Sequence, residues 1–212
     1  VVEIKRLVTF GCSNTYGHGL ADCYNSNGTP GPNPSIQAWP FLFAQKYKLG
    51  VSNEAEPGIS NKQIYKKILE YSFRKGDLVI VLWSYINRHC IFYPTHTDPI
   101  GPWINSTRSK KYQELIFNDY DATWHLTQMV DHVNKLLKNR NIFHYYMDWY
   151  MDKAILDPTA IKNKMFIHSS DWRDTARDNK HPGRQTQLDF LHHIEQDTTG
   201  PAVALSTNTV PN

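Results

Sequence analysis

The sequence predicts an α/β protein, a three-layer α/β/α sandwich around a central parallel sheet, on three observations. Short apolar runs alternate with segments of helical periodicity, the pattern of the crossover units that build parallel sheets. Asp77-Leu78-Val79-Ile80-Val81-Leu82-Trp83 is apolar from its second residue onward, as expected of a strand covered on both faces. Leu126, Met129, Val130, Val133 and Leu137 form one stripe at helical spacing, suited to a helix that covers such a sheet.

The elements follow in order. Residues 4–10 read as the first strand, ending at Gly11-Cys12-Ser13, with a Gly-, Asn- and Pro-rich loop over 24–35. Trp39, Leu42 and Phe43 set helical spacing across 36–47, and 51–55 is a short second strand. Ser60 is suited to cap a helix carrying Ile64, Ile68, Leu69 and Tyr71. After the strand at 77–83 the pattern breaks down over 88–118 into prolines, aromatics and polar residues, which reads as a long loop insertion. Within it, Arg108-Ser109-Lys110-Lys111 reads as a solvated stretch. The striped helix, a strand over 142–147, a short strand over 165–168 and an amphipathic helix over 183–194 complete the order. The 212 residues suggest one domain over 1–196 and an irregular tail over 197–212.

Composition narrows the function. A net charge of +3 without a dense basic block gives no support for nucleic-acid binding. Cys12, Cys23 and Cys90 are an odd set that forms no disulfide framework. No apolar stretch approaches a membrane span, no signal peptide is visible, and localisation stays open. Nothing reads as a zinc motif, a P-loop or a dinucleotide fingerprint, so no metal or cofactor is expected.

Two places carry chemistry. Ser13 follows a buried strand, where open α/β sheets gather ligands. Asp178-Asn179-Lys180-His181-Pro182 spaces a carboxylate and an imidazole so that one turn holds both. Serine, histidine and aspartate are the parts of a hydrolytic triad, recognised by role rather than chain order.

Together these blocks resemble the SGNH hydrolases, the GDSL-like esterase family. Gly11-Cys12-Ser13 is similar to the family's Gly-Asp-Ser block, with Cys12 in place of the aspartate. Asn53-Glu54-Ala55-Glu56-Pro57-Gly58-Ile59-Ser60 is similar to the second block, and Asp178 to Pro182 to the Asp-x-x-His-Pro block. The third block departs: the family has Gly-x-Asn-Asp, whereas this chain reads Trp83-Ser84-Tyr85-Ile86-Asn87-Arg88. The resemblance implies a flavodoxin-like domain and a metal-independent serine esterase. Ser13 is then the nucleophile, His181 the base and Asp178 its orienting partner, with an oxyanion hole from the N–H groups of Ser13 and Gly58 and the Asn87 amide.

Bland readings stand beside these. Ser13 alone is a strand end or a cap, the Asp178–His181 pair has an alternative as a structural turn with Asp178 capping the next helix, and Asn87 reads as a turn after a strand. Cys12 reads as a small buried residue rather than a nucleophile. Aromatic and polar residues from 83 to 103 suggest a sugar-binding surface, with Trp83, Tyr85 and Arg88 as substrate contacts and a small acyl group, acetyl, on a carbohydrate as substrate. The alternatives are a lipase-like or thioesterase activity on longer acyl chains, or a non-catalytic glycan-binding domain on the same fold.

Overall fold

The computed structural model describes residues 3–147 and 172–198. Four strands, β1 (Arg6–Phe10), β2 (Gly50–Asn53), β3 (Asp77–Trp83) and β6 (Asn141–Tyr146), form an all-parallel sheet in the order β2-β1-β3-β6. The chain leaves β1 for β2 on one side and then returns to β3 on the other. The carboxyl ends of β1 and β3 therefore flank the switch point, where such sheets bind ligands.

Side-chain alternation along the strands sorts the core into two layers. Leu7, Leu78, Ile80, Leu82 and Tyr145 pack with α2 (Trp39–Lys46) and α6 (Arg184–Thr198) on one face. Val8, Phe10, Val79, Val81 and Trp83 pack with α3 (Asn61–Glu70) and α5 (Asp119–Leu136) on the other. Every residue of β3 is buried, as its unbroken apolar run requires. Ser60 caps α3 in a reciprocal capping box with Gln63. At the strand starts, Arg6 donates to both carboxylate oxygens of Asp77 at 2.9 and 2.8 Å, joining β1 to β3.

The segment over 88–118 corrects the sequence reading. It holds an antiparallel hairpin, β4 (His89–Phe92) with β5 (Thr97–Ile100), and the helix α4 (Thr107–Leu115). The strands are short and β5 carries Pro99, so no clear alternation marks them. The Arg108–Lys111 stretch lies in α4, whose polarity hides its apolar signal. Its one buried residue, Ser109, donates to the Gly101 carbonyl at 2.7 Å and accepts from the Gly101 N–H at 2.9 Å. The final helix runs to Thr198, beyond the expected end. The strand expected over 165–168 and most of the tail lie outside the described residues.

Candidate functional site

Ser13 is the first residue of a one-turn helix, α1 (Ser13–Tyr16), immediately after β1 and Gly11-Cys12. Its carbonyl accepts from the N–H groups of Gly17 at 2.9 Å and His18 at 3.0 Å, which curls the next turn back over it. Asn53, at the end of β2, donates to the Thr15 carbonyl at 2.9 Å and fixes α1 to the sheet.

The Asp178–His181 turn is closed by a bridge between Thr175 and Pro182, with the Ala176 N–H on the His181 carbonyl at 2.8 Å. Asn179 takes a left-handed conformation at φ 53° inside it. The Asp178 carboxylate accepts from His181 Nδ1 at 2.6 Å and from the N–H groups of Lys180 at 3.0 Å and His181 at 3.2 Å. With Nδ1–H donating, His181 Nε2 keeps its lone pair as an acceptor. The cap of α6 is Asp174, which accepts from the N–H groups of Gln185 at 2.9 Å and Thr186 at 2.8 Å. Asp178 thus does not cap the helix.

This turn is seated on the segment that follows Ser13. The Arg177 N–H donates to the Gly19 carbonyl at 3.0 Å, and the rings of His18 and His181 stack with centroids 4.4 Å apart. Gly19, at φ +88°, has no room for a side chain, since a Cβ there would meet Asp178 Oδ1 at 2.8 Å. Gln187 of α6 is wholly buried, donating to the Asn14 carbonyl at 3.1 Å and accepting from the Trp39 N–H at 3.0 Å. The carboxylate–imidazole pair and Ser13 are so held in one neighbourhood. Their hydroxyl–imidazole hydrogen bond is not made: the Ser13 side chain is not bonded to His181.

Electrostatics favour a neutral base. Burial pushes His181 below the usual imidazole value, the Asp178 contacts push the other way, and the His18 and Arg88 charges lower it further. Burial raises Asp178, but its hydrogen bonds with His181 and Lys180 more than offset this and hold the carboxyl below its usual range. Burial also raises the Cys12 thiol, yet the Arg88 charge, the Asn14 N–H and the Ser84 and Ser13 hydroxyls bring it below its usual value. Cys12 itself is packed in the core under the sheet, in line with a small buried residue.

The remaining expected residues have their own settings. Gly58 has φ +79° and open space where a Cβ would stand, and its loop is tied to the residue after β1 by the Glu56 N–H on the Gly11 carbonyl at 3.2 Å. The Asn87 carbonyl accepts from Gln113 at 3.0 Å, while its side-chain amide has no hydrogen bond among the described residues. Trp83 is a correction: it is fully buried in the core and its indole N–H donates to His144 at 3.1 Å, so it is shielded from any ligand. The strand's outer alternation carries that ring inward. Tyr85 lies partly exposed, with the Arg88 guanidinium 5.1 Å over its ring, and Trp103 covers the same guanidinium at 4.6 Å.

Three residues escaped the sequence reading. His18 brings a third ligating side chain within 4.8 Å of those of Asp178 and His181, the one His/Cys/Asp/Glu trio among the described residues close enough to hold a metal ion. Gln187 and Asn61 are the others; Asn61 binds both backbone groups of Ser84, donating at 2.8 Å and accepting at 2.6 Å. Nothing local marks them, because each acts across a long sequence separation. No described helix is long and apolar enough to cross a membrane.

No protein-family model and no curated protein matches the chain. Solved structures do match its fold. Est24, a carbohydrate acetylesterase from Sinorhizobium meliloti, aligns with TM-score 0.55 at 12% identity over 92% of this chain and 98% of that one. A carbohydrate esterase family 2 enzyme with a carbohydrate binding domain, from Corynascus thermopiles (Myceliophthora fergusii), aligns with TM-score 0.53 at 16% identity. That match covers 93% of this chain, which spans 66% of the length of that enzyme. A GDSL-like lipase (putative in its naming) from Bacteroides uniformis aligns with TM-score 0.50 at 12% identity over 92% of this chain and 96% of that one. The chain shares the flavodoxin-like α/β/α fold of these hydrolases.

Proposed function

We propose that the chain is a serine esterase of the SGNH type that removes a small acyl group, acetyl, from a carbohydrate. The observation that carries this reading is the 2.6 Å Asp178–His181 pair seated against the turn that follows Ser13. A serine hydroxyl becomes a useful nucleophile when a neighbouring base takes its proton, and a neutral His181 with a free Nε2 is such a base. The hydroxyl adds to the ester carbonyl and its proton passes to Nε2. Asp178 holds the ring in the right tautomer and stabilises the imidazolium. The proton then goes to the departing sugar oxygen, leaving an acyl-serine. Water, activated in turn by His181, releases the acid and restores Ser13.

Negative charge on the carbonyl oxygen needs preorganised donors, each worth ~100- to 1000-fold in rate. The Ser13 and Gly58 N–H groups and the Asn87 amide are assigned that task. Glycan recognition is supported by exposed Trp103, which lies over Arg88, and by the carbohydrate esterases that share the fold.

A second reading, a non-catalytic glycan-binding domain, is favoured by the unmade Ser13–His181 hydrogen bond and by the departure in the third block. Labelling with a fluorophosphonate decides between them. The esterase reading expects covalent labelling of wild type and none of Ser13→Ala. An unlabelled, folded wild type would leave the binding domain.

A further inference from the structure

We infer that a cavity of about 320 Å³ beside the site takes a carboxylate-bearing sugar, a hexuronate unit of the glycan substrate. The inference rests on the esterase reading and names its substrate class. The cavity lies between the start of α3, the β3–β4 turn and the α4–α5 junction, and Lys62, Arg88, His89, Tyr112, Asp121 and His125 line it. Its size falls within the range of small-molecule sites.

The cavity is linked to the candidate catalytic residues through Arg88 and Asn61 of its wall. Asn61, in its wall, holds both backbone groups of Ser84. The Ser84 hydroxyl borders the Cys12 thiol, next to Ser13, and the Arg88 charge reaches both Cys12 and His181. A sugar in the cavity therefore lies within a short span of the ester to be cut.

Charge identifies the ligand class. Lys62 and Arg88 bring two basic side chains to the wall, and neither has a carboxylate partner among the described residues. Among the described residues the Lys62 ammonium reaches only the Cys90 carbonyl, at 3.5 Å, and the Phe92 ring, at 5.2 Å. Arg88 Nη1 is buried without a hydrogen-bond partner among the described residues. The Tyr85 and Trp103 rings engage the guanidinium, an arrangement that keeps its in-plane N–H groups for a carboxylate. The single acid in the wall, Asp121, faces His125 at 3.6 Å. A buried cationic N–H without an acceptor is costly, and a ligand carboxylate satisfies it.

The rest of the wall suits a sugar ring. His89 and Tyr112 line the cavity as a stacked pair, centroids 4.9 Å apart and planes 13° from parallel, which fixes both rings in its wall. Burial, with Lys62 and His125, lowers the His89 pKa, which favours the neutral ring, with one donor and one acceptor to offer sugar hydroxyls. Ile86 and Met129 supply an apolar floor.

Calorimetric titration of full-length Ser13→Ala protein with a hexuronate trisaccharide and with a neutral hexose trisaccharide tests the site apart from turnover. The expected result is binding at least about tenfold tighter for the uronate, weakening as salt is raised. Arg88→Met and Lys62→Met, each made in the same background, should remove the preference; Lys62→Met alone carries the test if the Arg88 variant does not fold. Equal affinity for the two sugars, or a preference that survives both substitutions, overturns the proposal. A wild type that prefers the uronate yet cleaves no acetyl ester would sink the esterase reading and leave the anionic site standing. Turnover of acetylated sugars without any uronate preference would do the reverse.

Discussion

Asp174 and Asp178 belong to one short segment but hold different structures. Asp174 takes the N–H groups of Gln185 and Thr186 at the start of α6, and Asp178 takes the ring and N–H of His181. Their substitutions should separate stability from catalysis. Asp174→Ala should lower stability by ~1–2 kcal/mol, the worth of a good N-cap, with a small effect on turnover. Asp178→Asn keeps an oxygen for the backbone N–H groups but loses the charge, and turnover should fall by about a thousandfold or more. Chemical denaturation and ester hydrolysis of both proteins check this. Wild-type turnover in Asp178→Asn would remove Asp178 from the mechanism.

The acid limb of activity reports on His181. Burial, with the His18 and Arg88 charges, lowers its pKa, so the neutral base persists to a lower pH than an ordinary histidine allows. The midpoint of kcat/KM against pH should lie below the ordinary value of about 6.5. Arg88→Met removes one lowering charge and should move that midpoint upward. A pH–rate profile of each protein provides the measurement, and a downward move would contradict the assigned direction.

Asn87→Ala tests the altered third block. If its amide meets the oxyanion, turnover drops by ~100-fold or more with little change in KM. Unchanged turnover would assign the charge to the two backbone N–H groups alone.

His144, on β6, governs acid stability. Its Nδ1 accepts from the Trp83 indole at 3.1 Å and its Nε2 lies 3.0 Å from Asn134 Oδ1, a pairing that fits the neutral ring. Burial lowers its pKa to about 4. The unfolded chain protonates this residue first as pH falls through about 6.5, so stability decreases from there down to pH ~4 and this contribution is then exhausted. The loss should approach about 3 kcal/mol, and it should be absent in His144→Gln. Urea melts of both proteins from pH 7 to pH 4 measure the difference; parallel curves would show that His144 does not drive it.

Much of this was legible locally. The unbroken apolar run of β3, the stripe of α5 and the Ser60–Gln63 capping box are set by nearest neighbours along the chain, and each element forms where its pattern predicts. The Asp178–His181 hydrogen bond is likewise a three-residue affair, so spacing alone announced it. The hairpin and helix over 88–118 were hidden because four-residue strands, one with a proline, and a helix with a single buried residue carry too little periodic signal.

The sequence by itself determined the order of the parallel-sheet strands and of the helices that cover them, the place of Ser13 after β1 and the pairing of Asp178 with His181. Tertiary structure alone decided that Trp83 points into the core, that His18 stacks on His181, that Gln187 ties α6 to α1, and that Arg88 is held by Trp103 beside the cavity. Those contacts join residues far apart in the chain. Each depends on which strands become neighbours and which sheet face a side chain takes, and local propensity encodes neither.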